Sequence, residues 1–101
     1  MYDPMSAMTN LLTLSVIAKG DTYGYELKKA LAPYKAYSSS AMYAVLDRMK
    51  KCKKIESYEK DVNGRRRKYY RITIKGRREI EKFRQDLPEF IKVINAVTQG
   101  S

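Results

Sequence analysis

"NGRRRKYYRIT", residues 63–73, is the stretch that decides the fold. Its opening Asn-Gly pair is a strong signal for a two-residue hairpin turn, because both residue types accept the positive φ that such a turn requires. The segments on either side, "IESYEK" and "KYYRIT", each alternate in polarity, which predicts two paired strands. Ile55 is expected to face inward on the first strand, and Tyr70 and Ile72 on the second.

Four cations, Arg65 to Lys68, follow the turn in a row, and a chain that only had to fold would gain little from them. The net charge is +10, and its excess is +1 over residues 1–46, +9 over 47–82 and zero over 83–101. A concentrated basic region indicates a polyanionic partner. A solubilising loop is the simpler alternative, but a hairpin placed after a lysine-rich helix end favours nucleic acid, with an anionic membrane surface second.

Length and composition narrow the class of protein. A chain of 101 residues fits one small domain near the lower limit for a self-sufficient core, so a second subunit would help. No apolar run approaches the roughly 18 residues of a membrane span, and the N-terminus lacks a secretory layout. The single cysteine fits a reducing compartment. We therefore expect a cytoplasmic protein without membrane contact.

Three helices are predicted before the hairpin. The first ends at Gly20, and the second starts after a cap by Asp21 or Thr22 and ends at Pro33. The third follows the serine run. Each helix has a set of residues at helical spacing that is apolar except for Ser15. The sets are Met8, Leu11, Leu12, Ser15, Val16 and Ile17 in the first helix, Leu27, Ala30 and Leu31 in the second, and Met42, Val45, Leu46, Met49 and Cys52 in the third. The opposite face of the third helix holds Ser40, Tyr43, Ala44, Asp47 and Lys51.

A long last helix is predicted after a cap at Thr73. Its apolar residues step by three and four along one stripe, which is a heptad seam. The members of this seam are Ile80, Phe83, Leu87, Phe90, Ile94 and Val97. The small domain formed by the preceding helices and hairpin has little surface with which to cover these residues. We therefore expect a homodimer that packs along this helix. Pro88 predicts a kink or a break, with residues 86–89 capping a restarted segment.

This order is typical of a winged helix-turn-helix, a mainly α (α+β) fold with three helices, a two-stranded wing and a long C-terminal helix. We expect a DNA-binding domain over residues 1–73 and a dimerisation helix over 74–101. In such folds the third helix enters the major groove and the wing lies over the backbone. The residues expected to contact double-stranded DNA are Ser38, Ser39, Ser40, Tyr43, Arg48, Lys51, Arg65, Arg66, Arg67 and Lys68.

Two of these assignments stay open. Either Ser38 or Ser39 is expected to cap the third helix, while a neighbouring hydroxyl reaches a phosphate or does nothing beyond the cap. Tyr43 either contacts DNA or folds back against the second helix.

The stretches "YGYELKKAL", "SSSAMYAVLDRMKKCKKI" and "GRRRKYYRITIKG" resemble the PadR family of bacterial transcriptional regulators. The resemblance covers residues 11–83, and the exit of the wing is its most specific part. The matching positions are Tyr23, Gly24, Tyr25, Met42, Tyr43, Leu46, Arg48, Arg65, Arg67, Lys68, Tyr69, Tyr70, Thr73 and Gly76. Two stretches depart from the family pattern: Ser40-Ala41 stands where the family often has Gly-Thr, and residues 52–54 lack the usual glycine.

The resemblance implies a dimeric repressor of the branch with a single C-terminal helix. In that branch some members hold a small hydrophobic or aromatic effector between the first and last helices. The matching positions are Leu11, Ser15, Phe83, Leu87 and Ile91, whose simpler role is to pack the dimer.

Other functions fit less well. The sequence has no His, and Cys52 is expected on the core face, so we expect neither an enzyme nor a cofactor or metal site. A general nucleic-acid or RNA-binding protein would offer aromatic platforms on an open sheet, and Tyr69 is the one outward strand aromatic in this interpretation. A protein-interaction module, such as an antirepressor or adaptor, would carry a neutral or acidic wing.

Overall fold

The computed structural model of this protein describes residues 4–100, with side chains described from Met8 onward. Seven elements follow one another along the chain. They are α1 (Pro4–Lys19), β1 (Thr22–Tyr23), α2 (Gly24–Leu31), α3 (Ser39–Lys51), β2 (Ile55–Val62), β3 (Arg65–Ile72) and α4 (Ile74–Gln99). This is the winged helix-turn-helix order that the sequence predicts. None of the helices within residues 4–100 is long and apolar enough to cross a bilayer.

The wing is a three-stranded antiparallel sheet with the order β1-β3-β2, so the expectation of two strands was incomplete. The hairpin turn itself is confirmed, with Asn63 at φ 52° and Gly64 at φ 78°. The third strand is β1, in which Thr22 pairs with Tyr70 and Tyr23 with Tyr69. This strand ties the start of α2 to the exit of the wing.

The start of α2 differs from the prediction for the same reason. Its N-cap residue is Tyr23, which makes no side-chain cap bond, so neither Asp21 nor Thr22 caps the helix. The Asp21 carboxylate instead accepts a hydrogen bond of 2.7 Å from the Tyr58 hydroxyl of β2. The residues expected to start the helix are therefore used to anchor the sheet.

One core joins the helices to the inner face of the sheet. Ile55, Tyr70 and Ile72 are buried in it, as predicted. On α1 the prediction was partly wrong, because Met8 and Leu12 are exposed. The buried apolar residues that form this core are Leu14, Ile17, Leu27, Leu31, Met42, Val45, Leu46, Met49, Ile55, Tyr70, Ile72 and Ile80. α1 is apolar on most sides, so spacing alone did not select Leu14.

The end of α3 explains how the chain turns without the expected glycine. Cys52 was predicted on the core face, but it is the C-cap residue and is exposed. Lys53 then adopts a left-handed conformation with φ 61°. Its N–H donates to the Lys50 carbonyl and that of Lys54 to the Met49 carbonyl, which is the pattern that usually places glycine in the left-handed position.

Replacing Lys53 with glycine should therefore stabilise the protein. We expect Lys53→Gly to raise the free energy of unfolding by about 0.5–1 kcal/mol, since glycine adopts a positive φ without steric cost. Denaturant unfolding at one fixed protein concentration measures the change. Lys53→Ala is the matched control, because it removes the same charge but keeps the strained backbone. An equal gain in both variants would assign the effect to charge rather than conformation.

α4 begins as predicted, with the Thr73 hydroxyl accepting from the Gly76 N–H at 3.1 Å. It continues through Pro88 as one helix, so the expected break and its cap at residues 86–89 are absent. Pro88 lacks the N–H that would bond the Arg84 carbonyl, but this part of the helix is exposed and water can solvate that oxygen. Near its start the helix buries Ile80 in the core of the head.

Candidate nucleic-acid interface

The solvent face of α3 has the composition predicted for it. Its members Ser40, Tyr43, Ala44, Asp47 and Lys51 are all exposed, and so is Arg48. Three basic residues lie in the last turn of the helix, where they also complement its dipole. The opposite face supplies four residues to the core. A recognition helix needs such a free polar face, which every amphipathic surface helix has.

The serine run divides its roles between capping and contact with α2. Ser38 is the N-cap, and its hydroxyl accepts from the Ala41 N–H at 3.1 Å. The Ser39 hydroxyl accepts from Lys28 Nζ at 3.3 Å, which links the start of α3 to α2. The Ser40 hydroxyl lies 3.3 Å from that of Ser38. All three serines are exposed and stand where a helix N-terminus presents free N–H groups.

Tyr43 takes an intermediate position between the two alternatives left open. Its ring lies so close to Gly24 that a Cβ on that glycine would stand 2.6 Å from the Tyr43 hydroxyl oxygen. The side chain nevertheless stays 48% exposed. Tyr43 therefore packs against the start of α2 while its remaining surface faces solvent beside the serine run.

A depression of about 220 Å³ lies between α2 and α3. Tyr25 and Lys28 line it together with Ser39 and Tyr43. Neither Tyr25 nor Lys28 was among the predicted contact residues. The signal that points to Lys28 is its place one turn after Gly24, on the side of α2 turned toward α3. A hydroxyl, an ammonium group and a helix N-terminus together suit a phosphate.

The four cations of the wing divide between the two faces of the sheet, because side chains alternate along a strand. Lys68 and Arg66 lie on the face of Tyr70, while Arg65 and Arg67 lie on the other face. Tyr70 is buried, and burial raises the pKa of its phenol, with Tyr43 and Asp47 adding smaller effects in the same direction. Those neighbours belong to α3, so the Tyr70 face of the wing is the one beside α3.

Arg66 is held by an ion pair on that face. Its Nε lies 2.6 Å from Oε2 of Glu59 across the hairpin, and both side chains are largely exposed. Exposed pairs of this kind contribute at most about 1 kcal/mol, so a phosphate can compete for the guanidinium. Lys68 is exposed, and the described contacts give its ammonium no acidic partner.

The far face of the sheet carries a row of tyrosines. The Tyr69 ring lies 5.3 Å from that of Tyr23 and 5.8 Å from that of Tyr58, centroid to centroid. Tyr69 is therefore not the one outward strand aromatic, as the sequence interpretation had it. The Arg67 guanidinium lies 4.5 Å from the centroid of the Tyr23 ring, and its buried Nε has no hydrogen-bond partner in the described part of the chain.

Two further cations cover this row, with Lys60 5.3 Å from the centroid of the Tyr69 ring and Arg71 5.1 Å from that of Tyr58. Arg71 also binds Glu56 at 3.0 Å, and that bond raises the pKa of its guanidinium. Cation–π contacts of this kind stabilise by about 0.5–1 kcal/mol at exposed sites. The row thus braces the base of the wing, and the aromatic faces are already in use.

The far half of α4 is uncovered. Every residue from 84 to 100 is exposed, although Phe83 just before them is half-buried. The large apolar side chains on this stretch, with their exposed fractions, are Leu87 45%, Phe90 61%, Ile91 53%, Val93 56%, Ile94 44% and Val97 73%. At 100° per residue they cover about 160° of the helix circumference, which is broader than a two-helix seam. We call these six residues the α4 apolar face.

The site predicted for an effector is only partly assembled in the single chain. A depression of about 340 Å³ lies between α1 and α4, and of the five predicted residues only Ser15 lines it. The Ser15 hydroxyl is itself bonded to the Leu11 carbonyl at 2.8 Å. The rest of its lining combines the charged residues Lys19, Arg77, Glu81 and Arg84 with the apolar residues Ala18 and Ile80. Leu87 and Ile91 belong to the uncovered part of α4.

A model of the transcriptional regulator PadR-like family matches residues 13–82 of this chain, which is the segment from α1 through the wing into α4. A similar protein from Lysinibacillus sphaericus, described only as uncharacterised, is 32% identical over 94 residues, with 88% of this chain and 86% of that protein covered.

Solved structures agree with the family match. A PadR-like transcriptional regulator from Bacillus cereus is 33% identical, with a TM-score of 0.79 over 96% of this chain and 97% of that one. A PadR family transcription regulator from Clostridium difficile is also 33% identical, with a TM-score of 0.75 over 90% and 97% of the two chains. A transcriptional regulator from Clostridium thermocellum is 28% identical, with a TM-score of 0.76 over 93% and 96%.

Proposed function

The chain belongs to the PadR-like family of transcriptional regulators, and from that premise we propose that it is a homodimeric repressor of a palindromic operator. Regulation of transcription through DNA is the family's function. Beyond the family's function, we propose which residues contact DNA, that two copies form a dimer, and that binding represses transcription. Repression is the expected sign, because a dimer seated on a promoter competes with polymerase for the same DNA.

The α4 apolar face is the observation that carries the dimer. An isolated helix of this length, exposed on all sides, gains little from propensity alone and needs tertiary packing. Six large apolar side chains in contact with water would also form an adhesive patch. Packing against a second copy removes both problems. The breadth of the face favours contact with more than one helix of the partner, and Met8 and Leu12 on α1 are further exposed apolar residues.

For DNA contact we propose the solvent face of α3 together with the Tyr70 face of the wing. Ser40, Arg48 and Lys51 stand on the exposed side of α3, and Lys68 and Arg66 extend the same surface along β3. A phosphate of the DNA backbone would bind at the junction of α2 and α3, in the depression lined by Tyr25, Lys28 and Ser39. Ala41 is exposed and offers only an apolar contact to a base.

Within this proposal the residues up to 73 form the DNA-binding head and α4 the dimerisation element. An effector that releases the DNA would occupy the space between α1 and α4. Leu87 and Ile91 of that predicted site lie on the α4 apolar face, so a second copy would be needed to complete it. Release of the DNA by an effector would therefore depend on dimer formation.

The tyrosine row favours one competing function, a single-stranded or RNA-binding surface. Three outward aromatics on a sheet resemble the platforms on which bases stack. However, Arg67, Lys60 and Arg71 already lie on those rings, and a base would have to displace them. The basic wing also speaks against a protein-interaction module, which would gain nothing from clustered cations.

Selection from a random duplex library by the purified protein tests this proposal. We expect enrichment of one inverted repeat, bound far more tightly than unselected duplex. Competition with single-stranded DNA and with RNA of the same sequence should leave duplex binding largely intact. A pool without an enriched repeat, or equal competition by single strands, would contradict specific duplex recognition and favour the tyrosine row as the binding surface.

A further inference from the structure

The turn that ends α3 and the first turn of α4 are fastened to each other. We call the two segments, residues 52–54 and 73–76, the α3–α4 joint. The Thr73 hydroxyl lies 2.7 Å from the Lys53 carbonyl oxygen and 2.9 Å from that of Lys54, and shares its proton between them. The Thr73 N–H also donates to the Lys54 carbonyl at 3.1 Å. One residue thus holds both carbonyls that follow the recognition helix.

Close backbone approach leaves the joint no room to slide. A Cβ on Gly76 would stand 2.4 Å from the Lys54 carbonyl oxygen and 2.8 Å from Cγ1 of Ile72. Both distances are too short for any real side chain, and the first partner is main chain, which cannot rotate away. Gly76 is buried at this contact. The start of α4 is therefore seated directly on the turn.

Two long side chains close the joint from outside. Lys75 Nζ donates to the Cys52 carbonyl at 2.8 Å. Lys54 Nζ lies 2.8 Å from Oε1 of Glu79, one turn further along α4, and both side chains are mostly shielded from solvent. Every carbonyl of residues 52–54 is thereby bonded to, or in contact with, the first turns of α4. The left-handed backbone at Lys53 aims these carbonyls at the helix.

We propose that this joint fixes the angle between the recognition helix and α4, and so sets the half-site spacing that the operator must have. Thr73, Lys75 and Gly76 are positioning residues, and none of them needs to touch DNA. The inference rests on the proposed function, because it takes the dimer and the palindrome as given. It goes beyond them by naming the residues that determine the distance between the two recognition helices.

The length of α4 explains why a small contact has a large effect. Twenty-six residues at 1.5 Å each give a helix of about 39 Å. A change of about 5° at the joint then moves the far end by roughly 3 Å, close to the rise of one base pair. Since two copies meet along α4, the displacement appears between the two heads. A loose joint would therefore accept several spacings and a tight one a single spacing.

The test uses the operator obtained by selection, rebuilt with its half-sites moved apart or together by single base pairs. Binding of the full-length protein is measured on each duplex and on a duplex with one half-site. Thr73→Val removes the shared hydroxyl and Lys75→Met the outer bond. Thr73→Ser keeps the hydroxyl, and Lys82→Met removes the same charge two turns further along α4. Gly76→Ala opens the backbone contact.

For the wild type we expect at least a tenfold loss of affinity one base pair from the optimum. Thr73→Val and Lys75→Met should reduce this penalty to less than threefold, with dimer mass and half-site affinity unchanged. Thr73→Ser and Lys82→Met should retain the wild-type profile. If Gly76→Ala folds, the half-site spacing that it binds most tightly should differ from that of the wild type. If it does not fold, Thr73→Val and Lys75→Met alone test the inference.

A weakening that is equal at all spacings in Thr73→Val and Lys75→Met would overturn the inference, since it marks a merely structural role. So would an unchanged profile in both. A wild type that binds two half-sites no better than one is a different result, because it contradicts the dimer of the proposed function. A wild-type dimer that binds two half-sites equally well at every spacing would overturn the joint.

Discussion

Leu87→Asp is expected to split the dimer and to weaken operator binding by at least a hundredfold. Each interface would lose about 2 kcal/mol of apolar burial and gain a carboxylate with no partner, and two-fold symmetry applies both changes twice. Leu87 belongs to the α4 apolar face, and 45% of its surface is exposed in the single chain and free to be covered by a partner. Sedimentation at micromolar concentration measures the mass, and titration of the selected duplex measures the affinity.

Gln85→Asp is the matched control for that change. It introduces the same carboxylate two residues earlier, on the side of α4 away from the apolar face, so mass and affinity should stay near wild type. A Leu87→Asp protein that sediments like the wild type would show that the far part of α4 is covered in another way, and the dimer proposal would fail.

The double variant Arg66→Ala, Lys68→Ala is expected to weaken binding to all duplexes alike, by about 10- to 100-fold at low salt. Two phosphate contacts would be lost, and each contributes roughly 0.9 to the slope of log affinity against log salt. The slope should therefore fall by nearly two, with the preferred sequence unchanged, because phosphate contacts carry no base information. Equilibrium titrations at four or five salt concentrations give both quantities.

Arg67→Ala tests which face of the wing meets the DNA. It removes one adjacent positive charge, but from the face where the guanidinium lies on the Tyr23 ring. We expect a smaller change in slope than in either single variant at Arg66 or Lys68, together with a slightly less stable protein. If Arg67→Ala flattened the salt dependence as much as those variants, the tyrosine face would have to be the one that meets the duplex.

The sequence predicted the parts of the fold that local chemistry determines. Asn63 and Gly64 define a turn by their own conformational preferences, and Thr73 caps the helix that follows it. Ser38, one of the two serines left open as a cap, caps α3. These signals act within three or four residues, so no knowledge of the rest of the chain is needed. The alternation along β3 placed Tyr70 and Ile72 in the core for the same reason.

Features that depend on distant partners were missed. The strand β1 exists because Thr22 and Tyr23 meet β3, and two residues carry no periodicity of their own. Cys52 continued the apolar spacing of α3, but the left-handed turn at Lys53 ends the helix one residue too early for it. Pro88 left a kink or a break open from its own chemistry, and the helix is continuous through it.

The candidate site shows the same division. The run of residues 65–68 was recognisable as basic, but its split between two faces depends on the strand register. Lys28 was missed because α2 and α3 must first pack before it reaches Ser39. Contact with a partner or with DNA lies a step further still, and for this reason the assignments there are proposals.

The pairing of β1 with β3 also bears on how the protein folds. Thr22 and Tyr70 are roughly fifty positions apart, so their bonds form only after a long loop has closed and its entropy has been lost. Hairpins and helical turns form on far shorter timescales than such distant pairings. We therefore expect the wing hairpin to form early and to stay unbraced until the N-terminal strand arrives. During synthesis β1 leaves the ribosome before the wing does, so the three-stranded sheet can be completed only after Tyr70 of β3 has also emerged.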